Sequence, residues 1–334
     1  MPRKIRAVIL GLSGHVEEIL DARRAVPDLD IWALSDSDAG LLREVGDRAG
    51  VPASRRYADH RTLLDREQAD VAGVCGSDGE REAVILACIA RGIHVVAEKP
   101  LAMNWAGVLR IREALASGDS RLTMLLPMRL DGPFLAMRQV VASGGIGEVA
   151  QFDAQKSYIL GARPAWMLSR STFSGTIPYI GIHLVDLMRF TTLREPVAVA
   201  AFQGHIAQPE AGAMENTAVA SFRFDNGATG QMHLDYFRPA TAPTHGDDRL
   251  RIAGSRGVLE YREGDGLTIV TDGRKPHKID ALPDSRSLVA NFLANVYASA
   301  PLDLTPSDIF RANEIVFAAR DAAIQNRIVT IAPA

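Results

Sequence analysis

Cysteine is scarce in this chain. Only Cys75 and Cys88 occur among 334 residues, each in an apolar run with no second Cys or His at a metal-ligand spacing. That excludes a disulfide scaffold and a zinc-finger module. It reads as two buried thiols in a reducing compartment, with the cytoplasm as the expected location. Long apolar runs are missing too. The longest, Ala83 to Ala90, is far below the roughly 18 residues of a bilayer crossing. Nor is there an excess of one charge: 37 Lys and Arg stand against 40 Asp and Glu, a formal net charge of −3. That leaves no electrostatic footprint for nucleic acid or an anionic membrane. No metal site is expected, and the partner expected is a small molecule.

What is present suits a soluble globular protein. Hydrophobic residues make up 47% and charged residues 23%, enough for a core without staples. At about 150 residues per domain, the length predicts roughly two domains. The opening Met1-Pro-Arg-Lys-Ile-Arg-Ala-Val-Ile-Leu has the basic start and short apolar stretch of a signal peptide. Polar and acidic residues follow at once, so a first β-strand explains it better.

The first third alternates. Strand patterns at Ile5–Leu10, Asp30–Leu34, Tyr57–Ala58, Val71–Cys75, His94–Ala97 and Leu122–Leu126 are separated by helical patterns, such as Glu17–Ala25, Leu41–Ala49, Glu80–Arg91 and Trp105–Ala116. This predicts βαβ units and a parallel sheet, an N-terminal dinucleotide-binding domain over 1–124. Strand-like runs then follow one another from Val149 to Thr271, with turn signals between them. They predict a large, mostly antiparallel sheet in a second α/β domain over 125–334. Helices are expected at Pro133–Ser143, Ile180–Thr191, Ser287–Ser299 and Pro306–Asn326.

Four motifs carry chemistry. The first is Gly11-Leu-Ser13-Gly14-His15-Val16, directly after the first strand. A Rossmann turn wants G-x-G-x-x-G. Only the first glycine is in place; Ser13 and Val16 hold the other two positions, and Gly14 is off-register. A plain strand-to-helix turn would look the same, but the place in the first βα unit suits a phosphate at a helix start. The second is Asp36, 25 positions after Gly11. A carboxylate there accepts the ribose hydroxyls of NAD and repels the 2′-phosphate of NADP; the alternative is a helix N-cap or turn aspartate. The third is Glu98-Lys99-Pro100, closing the fifth strand. Gly11, Ser13, Gly14, His15, Asp36, Glu98, Lys99 and Pro100 are the candidate cofactor-binding residues.

The fourth motif is Gly175-Thr-Ile-Pro-Tyr179-Ile-Gly-Ile-His183-Leu-Val-Asp186. If it is helical after Pro178, Tyr179 and His183 share a face, and histidine suits proton transfer near neutrality. A buried structural histidine is the alternative. Arg129, Lys156, Tyr158, Arg163 and Trp166, together with His183, are candidate substrate residues. His245-Gly-Asp247-Asp248 reads as a hydrogen-bonded loop rather than a metal site. His233 and Asp235 alternate with apolar residues and belong on one face of a strand.

The E-K-P after a G-x-H-V-V strand, the G-G-I-G-E-V at Gly144–Val149, the G-T-I-P-x-I-G-I-H-x-x-D helix, Asn226–Ala228 and the late P-L-x-L-T-P-x-D together resemble the glucose-fructose oxidoreductase / inositol dehydrogenase / rhizopine catabolism (Gfo/Idh/MocA) family. The resemblance implies a Rossmann domain and a second domain with a large open sheet. It implies NAD as cofactor, a sugar, cyclitol or related polyol as substrate, and a homodimer or homotetramer formed through the sheet face. It makes Lys99 the active-site lysine and His183 the catalytic histidine, with Pro100 after a cis bond. Relatives commonly carry an aspartate where this chain has Tyr179, and a histidine where it has Arg81. Tyr179 thus enters the catalytic set as a candidate member of the proton relay. Two other outcomes stay open: an NAD-using glycosidase without net redox, and a non-catalytic nucleotide-binding protein of the same fold.

Overall fold

A computed structural model describes residues 4–333; the opening Met1-Pro2-Arg3 read above and Ala334 lie outside it. The chain divides into two compact units. The first holds Met1–Pro127 with the later segments Ser171–Ser174 and Ser287–Phe310, and the second holds Met128–Arg170, Gly175–Arg286 and Arg311–Ala334.

In the first unit, strands and helices alternate: β1 (Ile5–Leu10), α1 (Val16–Asp21), β2 (Leu29–Ser35), α2 (Ala39–Ala49), β3 (Arg56–Tyr57), α3 (His60–Arg66), β4 (Val71–Val74), α4 (Asp78–Ile89), β5 (His94–Ala97), α5 (Trp105–Ala116) and β6 (Leu122–Met124). The six strands lie in the order β3-β2-β1-β4-β5-β6, every pair parallel. Such sheets are covered on both faces, and Ala7–Leu10 of β1 and all of β4 are buried. The strand order reverses between β1 and β4, which opens a crevice at the strand C-termini. Helix ends follow their capping residues. The Asp38 carboxylate accepts from the Gly40 and Leu41 N–H groups to start α2. Gly92, at φ 70°, turns the chain after α4.

In the second unit the elements are α6 (Gly132–Ala142), β7 (Val149–Tyr158), α7 (Thr176–Thr192), β8 (Pro196–Gly204), β9 (Thr217–Phe224), β10 (Thr229–Asp235), β11 (Gly246–Gly254), β12 (Gly257–Arg262), β13 (Gly266–Thr271) and β14 (Arg274–Lys278). After them come α8 (Leu288–Ala298), α9 (Pro306–Gln325) and β15 (Val329–Thr330). The nine-stranded sheet runs β14-β13-β12-β11-β7-β10-β9-β8-β15. Its pairs are antiparallel except β7 with β10. This is the α/β architecture expected, a parallel Rossmann-type sheet and a large, mostly antiparallel one. Alternation sets the faces: Gly230, Met232 and Leu234 are buried while His233 is exposed. Gly181 has no side chain to hold α7 off Leu234 and Met232 of β10. The reverse face carries His233 and Phe202, the latter 65% exposed.

Three features differ from the sequence reading. β14 and β15 have too few apolar residues to show a pattern. α7 begins before Pro178, not after it, because the first helical turn has no N–H partners to lose to proline. A cut at 124/125 assigns α8 to the second domain, yet its Val289, Phe292 and Leu293 pack into one core with Val16, Ile19 and Leu20 of the first unit.

Cys75 and Cys88 are both free and buried. Burial pushes the Cys88 thiol up to about 12 and holds that of Cys75 well above the ordinary thiol value. The thiolate is the reactive form. A thiol reagent at pH 8 is therefore expected to label neither residue in the native protein and both after denaturation. Stoichiometric labelling before unfolding would contradict this burial. Among the described residues no helix is long and apolar enough to cross a membrane.

Candidate active site

The first unit gathers the candidate cofactor residues at its strand C-termini. Gly11 has φ 83°, and a Cβ there would lie 2.3 Å from the Gly76 nitrogen. Only glycine lets the β1–α1 turn come this close to the turn after β4. The Asp36 carboxylate, at the end of β2, accepts from the Leu12 N–H at 2.8 Å and the Asp38 N–H at 2.8 Å. Ser13 ties the turn to β4 through its hydroxyl, which donates to the Cys75 carbonyl at 2.8 Å. A Cβ on Gly14 would strike the Glu98 carboxylate at 2.3 Å.

Glu98 is the hub beneath this turn. Its Oε1 takes the His15 N–H and lies 2.6 Å from the His15 Nδ1. Its Oε2 accepts the Lys99 N–H at 2.9 Å. Burial alone would raise this carboxyl, but His15, Lys99 and Arg81 more than offset it and hold Glu98 well below the usual carboxylate range. Glu98 is 2% exposed, and through these bonds it braces the turn from beneath. Lys99 is equally buried, its Nζ 4.0 Å from Glu98. The Lys99–Pro100 bond is cis.

Sequence reasoning saw Arg81 only as a departure, and here it is a buried clamp. Its Nη1 donates to Asp78 at 2.8 Å and to the Pro100 carbonyl at 2.6 Å, and its Nη2 donates to the Gly76 carbonyl at 2.8 Å. Asp78 in turn accepts from the Ser174 hydroxyl at 2.5 Å. One guanidinium thus holds the loops after β4 and β5, the second of which carries Lys99.

The residues of this unit fit a bound NAD. Gly11 and Gly14 let the β1–α1 turn pack tightly on the turn after β4 and on Glu98, which fixes the turn at the strand C-termini. Asp36 keeps lone pairs beyond its two backbone bonds, and Asp38 beside it adds no positive charge for a 2′-phosphate.

In the second unit α7 carries Tyr179 and His183 one turn apart. His183 is 4% exposed and is the one buried histidine among the described residues. Tyr179 packs edge-on against Trp166 with centroids 5.9 Å apart. Asp186 is gripped by both arms of Arg129, whose guanidinium lies 4.9 Å over the Phe190 ring. Arg129 and Asp186 are 3% and 1% exposed. Arg129 therefore anchors α7 through Asp186.

Lys156 and Tyr158 sit on the sheet face that α7 covers. The Lys156 Nζ donates to Asp248 at 2.5 Å and to the Tyr158 hydroxyl at 3.1 Å. The register makes this pair: Lys156 of β7 lies directly opposite Asp248 of β11. Burial alone would lower the Lys156 ammonium, but Tyr158 and Asp248 more than offset it, so Lys156 stays charged. Burial also raises the Tyr158 phenol. Tyr158 stacks on His245 with centroids 5.1 Å apart, and Arg163 lies over the Tyr236 ring at 4.8 Å. Asp247 turns to Arg249. The stretch read as a loop at 245–248 is thus the start of a strand whose side chains part to different partners. No cluster of three metal-ligating side chains occurs among the described residues.

Comparison with known proteins agrees with this layout. The family model described as "Oxidoreductase family, NAD-binding Rossmann fold" matches residues 5–125, and the "GFO/IDH/MocA C-terminal domain" matches residues 134–260. The chain belongs to the GFO/IDH/MocA oxidoreductase family. As a member it is an NAD-binding dehydrogenase. It is 28% identical to the myo-inositol 2-dehydrogenase of Thermotoga maritima over 77% of this chain and 74% of that one. It is 22% identical to the D-apiose dehydrogenase of Rhizobium rhizogenes over 80% and 76%. Among solved structures, an oxidoreductase from Thermotoga maritima superposes with a TM-score of 0.91 at 26% identity, covering 98% of this chain and all of the other.

Proposed function

We propose that this GFO/IDH/MocA member oxidises a secondary hydroxyl of a sugar, cyclitol or related polyol, with His183 as general base. The observation that carries the reading is His183 itself, a buried imidazole on α7, the helix that packs on β7, whose last residues include Lys156 and Tyr158. His183 takes the hydroxyl proton as the alcohol becomes a carbonyl. For Lys99 of the first unit we propose the role that the family resemblance gives it, a cation for developing negative charge. Tyr158, kept neutral by burial, offers a hydroxyl to the polyol, and Lys156 fixes its orientation. Trp166 and Tyr179 supply an apolar wall for the carbon skeleton. Arg163 is assigned to the substrate rim. The β1–α1 turn and Asp36 would hold NAD, and its nicotinamide would supply the hydride acceptor for this oxidation.

The reading is tested with purified protein, NAD or NADP, and a polyol panel including myo-inositol. NADH accumulation at 340 nm is expected with NAD and at least one polyol, with little signal from NADP. No net reduction, with glycoside cleavage instead, would sink the dehydrogenase reading in favour of an NAD-using glycosidase. Thermal shift separates the cofactors: a nucleotide at about 100 Kd adds roughly 2.7 kcal/mol, expected for NADH and not for NADPH. Asp36→Ser should narrow that gap by removing the repelling carboxylate.

We also infer self-association through the open face of the nine-stranded sheet, where Phe202 stands exposed opposite Val219. Phe202→Asp is expected to shift the sedimentation coefficient toward a monomer. An unchanged coefficient would place any interface elsewhere.

A further inference from the structure

A cleft of about 430 Å³ opens in the first unit between α5, the start of β6 and α8. It lies at the N-terminal edge of the parallel sheet. The candidate cofactor residues lie at the C-terminal ends of β1, β2 and β5, so the cleft belongs to the opposite edge. Its volume falls in the range of small-molecule sites. The walls are apolar, from Leu115, Leu122, Phe292, Leu302 and Phe310.

Two further observations say what kind of molecule suits it. Ser120 lines the cleft and is 7% exposed, and its hydroxyl has no hydrogen-bond partner. A buried hydroxyl left unmatched is uncommon, and rotation about χ1 can turn it to an occupant. The rim carries two guanidinium groups, Arg112 and Arg121. Arg121 is held in place by one nitrogen, which donates to the carbonyl and side-chain oxygens of Asn295 at 2.7 and 2.8 Å. Among the described residues no carboxylate side chain lines the cleft. Apolar walls, an unmatched hydroxyl and two cations at the mouth complement one chemistry.

We propose that this cleft binds a small monocarboxylate with an aromatic or aliphatic body, its carboxylate at Arg112 and Arg121 and its apolar part among Leu115, Phe292 and Leu302. The site is separate from the dehydrogenase chemistry, and NAD binding does not depend on it.

The test uses the full chain saturated with NADH, titrated calorimetrically with 4-phenylbutyrate and with the neutral isostere 4-phenylbutan-1-ol. Saturable binding of the acid is expected, with the alcohol at least tenfold weaker, about the loss of one charge-assisted bond. Arg112→Gln and Arg121→Gln should each weaken the acid and leave the alcohol unchanged. Ala116 is exposed on the cleft wall, so Ala116→Trp is expected to block the cleft without disturbing the core. Its NADH affinity, within twofold of the parent, reports the fold. Absence of saturable binding by the acid would overturn the proposal. So would equal binding of the alcohol, or full binding by Ala116→Trp. A changed oligomeric state in Ala116→Trp, with no acid binding to the parent, would assign the cleft to a subunit contact and overturn it as well.

Discussion

His183→Asn is expected to lower kcat by roughly 10²–10⁴-fold, the range for removing a positioned general base, while NADH affinity stays unchanged. Asparagine keeps a polar side chain in the same place on α7 but cannot take up a proton. NADH affinity is expected to hold because the candidate cofactor residues all lie in the first unit, whereas His183 belongs to the second. Initial rates against polyol at saturating NAD measure the loss of kcat. Activity within threefold of the parent would remove His183 from the chemistry and favour a non-catalytic role for the fold. Tyr179→Phe separates the two parts Tyr179 could play. Loss comparable to His183→Asn would place its hydroxyl in the proton relay. A change of a few fold would leave it as a wall against Trp166.

The second large effect is on stability. Arg81→Met is expected to cost about 3–5 kcal/mol, the penalty for leaving one member of a buried ion pair alone. Asp78 is fully buried and Arg81 is 1% exposed. Removing the guanidinium strands the Asp78 charge with the Ser174 donors and orphans the Gly76 and Pro100 carbonyls. Against a typical total of about 5–15 kcal/mol, that is a large share. Denaturant midpoints of the parent, Arg81→Met and the double variant Arg81→Met/Asp78→Asn give the measurement. The double variant should recover part of the loss, because the stranded charge is gone. A midpoint for Arg81→Met within error of the parent would mean the clamp holds nothing. Arg81→Lys tests geometry: an ammonium keeps the charge but lacks the fork that reaches three acceptors at once.

The fold was legible in the sequence where periodicity is local. β1, β5, β7 and α5 fall on the residues their patterns name, because each buries a face or a whole strand that composition reveals. β14 was not legible, since Arg274-Lys-Pro-His-Lys278 has no apolar side to bury. The site was legible where a motif is contiguous, as at Glu98-Lys99-Pro100 and Tyr179–His183. It was not legible where partners meet only through folding. Nothing near Lys156 announces Asp248, 92 positions away; the antiparallel register of β7 and β11 makes the pair. Arg129 and Glu98 were named from their places after β6 and β5, without sight of the pairs they make. Their partners, Asp186 and His15, were hidden by the same distance in sequence.

The return of α8 to the first unit has a bearing on how the chain is made. Its Val289, Phe292 and Leu293 complete a core begun by Val16, Ile19 and Leu20. At a ribosomal rate of about 5–20 residues per second, roughly 10–40 s separate the emergence of Pro127 from that of Phe310. Through that interval the nascent Rossmann sheet has an uncovered apolar flank on α1, the helix that follows the nucleotide turn. The domain that is first in sequence is among the last to be finished, and chaperone dependence during synthesis is expected to fall on that flank.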